Sequence, residues 1–162
     1  MPLLRNMTSL YLSCGEKMLL LYRQGSRVVN DVWTGSAGGH FEEYELNDPT
    51  ACVLRELKEE LSVSPEMISG LRLKYITLRY VNSEIRQNHY FFAEFPTGTE
   101  KKLSSDEGIL KWFGMNEIGC LPMPYTSQYV IKHYLSEGRY DDHIYSGTAD
   151  GSGIVFTVLS ET

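Results

Sequence analysis

At 162 residues the chain is long enough to bury a full hydrophobic core and reads as one domain, residues 1–162. Its net charge of −6 leaves no basic surplus to displace counterions from a nucleic-acid backbone, so a nucleic-acid polymer is not an expected partner. No stretch approaches a membrane span, residues 1–12 lack the apolar run of a secretory signal, and Cys14, Cys52 and Cys120 cannot all pair; a cytoplasmic chain with reduced thiols and no membrane partner is expected.

In chain order, residues 8–13 and 17–22 flank Cys14, Gly15 and Glu16 and predict a hairpin. Residues 33–37 read as a loop and 39–42 as a short strand. Asn47 or Asp48 can cap a helix whose first turn holds Pro49, where a missing N–H costs nothing. Ala51, Cys52, Leu54, Leu57 and Leu61 then give that helix an apolar stripe. Opposite the stripe stand Glu56, Glu59 and Glu60. At about 100° per residue, Glu56 and Glu60 stack one turn apart with Glu59 beside them. Like charges at this spacing cost roughly 0.2–0.5 kcal/mol per pair, a penalty that a hard divalent cation held by carboxylate oxygens removes. A solvated acidic face is the alternative reading of the run taken alone.

Further on, residues 71–81 and 87–95 are β-branched and aromatic and predict a second hairpin through Asn82, Ser83 and Glu84. Residues 111–114 form a short strand, and residues 125–137 a helix with Tyr129, Val130, His133 and Tyr134 inward and Gly138 as its stop. Residues 143–147 and 154–159, around Asp150 to Gly153, suggest a terminal hairpin covering one end of the sheet.

Gly39, Glu45, Arg55, Glu56, Leu57, Glu59, Glu60 and Val63 fit fixed positions of a pattern that resembles the Nudix box, here spanning residues 39–63. There are two departures. Nine residues separate Glu45 from Arg55 where the family usually has seven, and Ser62 replaces the usual closing glycine. The extra residues fall before Pro49, where a loop can bulge, and a serine in the left-handed cap costs on the order of 1 kcal/mol or shifts the cap by one residue.

The resemblance covers roughly residues 7–137 and implies an α/β (α+β) Nudix fold, a mixed β-sheet sandwiched between helices; the role of residues 139–162 is left open. It implies a hydrolase that cleaves the diphosphate linkage of a nucleoside triphosphate or other nucleoside diphosphate derivative with Mg²⁺ or Mn²⁺ as cofactor. Glu56, Glu59, Glu60 and the Gly38 carbonyl are the implied metal contacts, with Glu59 or Glu60 as the alternative proton acceptor. Arg55 orients the glutamates and Glu45. Glu107, in an acidic loop before Trp112 and Phe113, resembles a further metal-site acid supplied from a distance in oxidised-purine triphosphatases, with solvated turn residues at Asp106 and Glu107 as the alternative. Arg23 is a candidate phosphate contact and His40 a candidate phosphate or metal-water contact, each with an exposed strand residue as the alternative. Ser127 or Gln128 stands where MutT reads its base, so an oxidised guanine nucleotide such as 8-oxo-dGTP is allowed. Tyr11, Trp33, Tyr80, Phe91 and Tyr125 are either stacking platforms or core, and core is the commoner role. A non-catalytic nucleotide or metabolite sensor is the alternative, and an isopentenyl-diphosphate-type isomerase is disfavoured because the cysteines fit no version of its motif. The expected partner is a small nucleotide, and the chain a monomer or homodimer.

Overall fold

Period-two alternation along neighbouring strands builds the centre of the molecule. The computed structural model describes residues 1–24, 31–97 and 103–162. Strand β1 (Leu3–Cys14) turns through Gly15 into β2 (Lys17–Arg23), and β3 is the short Trp33–Thr34. Helix α1 (Pro49–Leu61) precedes β4 (Ser69–Val81), β5 (Glu84–Glu94) and β6 (Gly108–Gly114). Helix α2 (Tyr125–Ser136) leads to β7 (Ile144–Asp150) and β8 (Gly153–Leu159). The sheet runs β3-β2-β1-β5-β4-β7-β8, with β6 on the other edge of β2. Pairing is parallel for β1/β5 and β4/β7 and antiparallel elsewhere.

Each face has its own core. Leu10, Leu12, Leu19, Phe91 and Ala93 pack with Val53, Leu57 and Leu61 of α1, while Tyr11, Met18, Leu20, Tyr90 and Phe92 pack with Val130, Ile131 and Tyr134 of α2. Because successive strand residues point to opposite faces, one run of apolar residues serves both layers. The expected mixed sheet between helices is the observed fold.

Local departures have physical causes. Asp48, rather than Asn47, caps α1, accepting the Ala51 N–H at 3.0 Å, and Val53 joins the buried stripe. Ser62 ends the helix in the left-handed region (φ 54°), so the cap stays in place and the serine bears the strain. The β4/β5 link is tighter than expected: Asn82 and Ser83 both take positive φ, and Glu84 already pairs with Val81. The strand expected at residues 39–42 is absent, since the chain touches β1 in one bridge, Met7 to His40, and then enters a 3₁₀ turn at Glu43–Glu45.

The terminal hairpin extends the sheet instead of covering its end. Strand β7 lies parallel to β4, which requires the long crossover that α2 provides. The join is pinned by Lys74, which is 1% exposed and donates to the Asp141 carbonyl at 2.9 Å and to its Oδ1 at 2.7 Å. Tyr145 donates its hydroxyl to the other oxygen of Asp141.

Candidate active site

Divergence of β1 and β2 makes room for the site. They pair only from Leu12↔Leu19 to Cys14↔Lys17; beyond that β2 carries β3 on the edge β1 has left, while β6 follows its opposite edge throughout. The freed edge of β1 is taken by residues 35–41, through Leu10 N–H to Ala37 O (2.8 Å), Thr8 N–H to Gly39 O (2.8 Å) and Phe41 N–H to Asn6 O (3.1 Å). Gly38 has φ 147°, and a Cβ there would lie 2.3 Å from the Thr8 carbonyl oxygen. Only glycine lets the loop approach β1 this closely. A Cβ on Gly39 would sit 2.4 Å from Oε1 of Glu56, so the glycine leaves a cradle that the carboxylate occupies.

Arg55 organises the acids. Its Nη1 donates to Glu56 Oε1 at 2.9 Å and to Glu59 Oε2 at 3.0 Å, and Nη2 donates to the His40 carbonyl at 3.0 Å and to Glu45 Oε2 at 3.1 Å, while Nε bonds Glu45 Oε1. Glu45 is wholly buried, and the Arg55 fork, opposed by burial, holds its carboxyl down at about 2. The donors of Arg55 are thus committed to protein groups, and its fork ties the Glu45, Glu56 and Glu59 carboxylates together.

The three expected acids do not share one orientation. Glu56 and Glu60 line a cleft of about 530 Å³, whereas Glu59 is 58% exposed, is held by Arg55 and lies outside the lining. Among the described residues, no three acidic, histidine or cysteine side chains are drawn into one metal-sized cluster. Glu60 Oε2 is nevertheless buried with no hydrogen-bond partner among the described residues. Burial first, then the neighbouring Glu56 carboxylate, push the Glu60 carboxyl well above the usual range, with Glu107 adding and Arg23 opposing. Among the described residues, the Gly38 carbonyl also lacks a hydrogen-bond partner.

The remaining expected residues reach the same cleft. Glu107, in the turn before β6, pairs with Arg23 at 3.4 Å where β6 lies against β2. His40 is on the rim; burial and then the field of Arg5 lower its proton affinity, with Glu56 pulling the other way. Ser127 is buried on α2, 3.4 Å from the Tyr90 hydroxyl, whereas Gln128 is exposed. Of the proposed stacking aromatics, Tyr11 and Phe91 are core, and Trp33 packs against Tyr22 and Phe113. Neither Tyr80 nor Tyr125 lines the cleft. Tyr90, which does, was missed, as were Asn88, Arg5, Arg79 and Arg86. The alternation of Asn88, Tyr90 and Phe92 marks one strand face, and the two-residue turn at Asn82 and Ser83 sets Arg79 opposite Arg86.

The fold is thus a mixed sheet between helices, with a glycine loop and a glutamate-bearing helix meeting beside the freed edge of β1. The family model for the NUDIX domain matches residues 5–134, and the chain belongs to that family. Its structure is similar to that of a MutT protein from Bacillus halodurans, at 23% identity and TM-score 0.63, over 96% of this chain and 95% of that one. A MutT protein from Methanosarcina mazei is similar at 17% identity and TM-score 0.66, over 84% and 96% of the chains. The Ap4A hydrolase of C. elegans is similar at 17% identity and TM-score 0.60, over 84% and 98%. At these identities the likeness is one of fold. No curated protein matches the sequence. Family membership carries with it Nudix-type pyrophosphohydrolase chemistry on nucleotide-like substrates.

Proposed function

We propose that the protein is a divalent-metal-dependent pyrophosphohydrolase that cleaves the diphosphate linkage of a nucleoside triphosphate or another nucleoside diphosphate derivative, with oxidised purine nucleotides such as 8-oxo-dGTP among the candidates. The observation that carries this reading is the pair Glu56 and Glu60 facing the cleft beside Gly38 and Gly39, with one Glu60 oxygen buried and, among the described residues, unpartnered.

That donor set, carboxylate oxygens and a free backbone carbonyl with no nitrogen or sulfur, fits a hard cation, Mg²⁺ or Mn²⁺. Glu56, Glu60 and the Gly38 carbonyl would hold it, with Glu59 as a further donor one position away. Such an ion, when bound, neutralises charge on the non-bridging phosphate oxygens and acidifies a water. The protein supplies the rest. Arg55 fixes Glu56 against the glycine loop, and Glu59 or Glu60 accepts the proton of the attacking water. Arg23 and His40 meet phosphate oxygens at the mouth, Glu107 adds an acid from the β6 side, and Ser127 with Tyr90 offers hydroxyls to the base. A soluble cytoplasmic monomer or homodimer accords with the composition, and among the described residues no helix is long and apolar enough to cross a membrane.

Incubation with Mg²⁺ or Mn²⁺ and a nucleotide panel, read by product mass, is expected to give a monophosphate with pyrophosphate or phosphate. Chelation is expected to abolish it, and Glu60→Gln to lower kcat by about 100-fold or more. No turnover across the panel, or turnover unchanged in both Glu59→Gln and Glu60→Gln, overturns the reading. A non-hydrolysing nucleotide sensor is the second reading, favoured by the engagement of Glu59 with Arg55. Tight metal-independent binding by calorimetry without product would establish it.

A further inference from the structure

At the end of the cleft away from the glutamates, three arginines stand side by side. In the sheet register Arg5 of β1 pairs with Arg86 of β5, and Arg86 pairs with Arg79 of β4, so all three project from one face across three adjacent strands. All three line the cleft. Like charges directly opposite each other in a sheet are destabilising. One carboxylate partly offsets them: Oε2 of Glu84 accepts from Arg5 Nη1 at 3.3 Å and from Arg86 Nε at 3.1 Å. Arg79 has no ion pair among the described residues, and its guanidinium lies 4.5 Å from the centre of the Tyr125 ring. Three guanidinium groups against one carboxylate leave a positive pole in a chain whose net charge is −6.

The next row toward the glutamates is Met7, Asn88 and Thr77, and the row after it holds Ser9 and Tyr90. Three residues of strand, roughly 10 Å, separate Arg5 from Thr8, the residue bonded to Gly39.

We propose that Arg5, Arg79 and Arg86 form a second anion subsite, and that the substrate is a nucleoside diphosphate derivative carrying a further phosphate remote from the bond that is cleaved. This rests on the reading that a diphosphate linkage lies at the glutamate end. A neutral base takes one fork of donors and leaves the other charges opposed, whereas a phosphate dianion accepts bidentate bonds from neighbouring guanidinium groups. The polar middle rows, with Asn88, Thr77 and Tyr90, face the nucleoside that joins the two anionic ends. The remote phosphate is either an ester on the ribose or a more distal phosphate of a polyphosphate chain.

Matched pairs separate these sources. Coenzyme A against dephospho-coenzyme A, and NADPH against NADH, differ only in a ribose phosphate; adenosine 5′-tetraphosphate against ATP differs only in the distal phosphate of the chain. The wild-type protein is expected to favour the more phosphorylated member of at least one pair by about tenfold or more in kcat/KM, and Arg86→Gln and Arg79→Gln to collapse that ratio, chiefly through KM. Calorimetry of the same ligands without divalent metal reads the subsite independently of hydrolysis. Tighter binding of the phosphorylated member, lost in Arg86→Gln, upholds the subsite even if no ligand is turned over, the outcome that would instead overturn the hydrolase reading. Equal affinity and equal kcat/KM within every pair, or a preference that follows the base alone, overturns the subsite.

Discussion

Arg55 grips both carboxylate oxygens of Glu45, a residue with no exposed surface, and with the same guanidinium reaches Glu56 and Glu59. A buried ion pair thus serves as the fixed end of a lever whose free end sets the acids. Removing one partner of such a pair strands the other charge. Glu45→Gln is expected to destabilise the fold by about 3–5 kcal/mol near neutral pH and to lower kcat through misplaced Glu56. The Glu45 carboxyl lies at about 2 in the folded chain against an ordinary 4.5. A depressed folded value means a stabilisation fully present above 4.5 and lost as pH falls toward 2. Urea midpoints of wild type and variant should therefore converge across that window; a constant gap down to pH 2 would refute the assignment.

The two glycines of the loop should fail differently. An added methyl at Gly38 meets the backbone of β1 and an unfavourable φ, so Gly38→Ala is expected to lose at least about 1–2 kcal/mol of stability. At Gly39 the methyl meets only the movable Glu56 carboxylate. Gly39→Ala should keep its melting temperature near that of wild type while the apparent Mg²⁺ affinity falls about tenfold or more. Equal melting losses in both variants would contradict this division.

Ser62 carries strain that glycine would not. Ser62→Gly is expected to stabilise the fold by roughly 0.5–1 kcal/mol, the left-handed penalty less the extra freedom of an unfolded glycine. A melting midpoint higher by about 1–4 °C with unchanged kinetics is the expected readout. A fall in the midpoint would show that the serine side chain makes a compensating contribution.

The sequence discloses local chemistry better than long-range placement. Asp48, Pro49 and the leucine spacing define α1, and the acids opposite them define the candidate site, because capping and helical period act over a few residues. The orientation of Glu59 depends on competition for Arg55 among Glu45, Glu56 and a backbone carbonyl, and no spacing rule ranks those partners. The arginine row depends on two registers at once. The antiparallel one follows from the Asn82 and Ser83 turn, but the parallel β1/β5 register joins residues about eighty apart and has no local signal. The β4/β7 pairing was hidden for the same reason, and with it the use of Lys74.

That pairing bears on any shortened version of the protein. The family match stops at residue 134, ahead of Asp141 and the strand that covers β4. A chain trimmed to the match would leave the interior ammonium of Lys74 without its counter-charge and turn β4 into an open template for strands of other molecules, so precipitation rather than lost chemistry would be its first symptom. It would also free Tyr125, whose hydroxyl is anchored on the Asp150 carbonyl and whose ring carries Arg79. The position of Arg79 in the proposed subsite therefore rests in part on a segment that the family match does not contain.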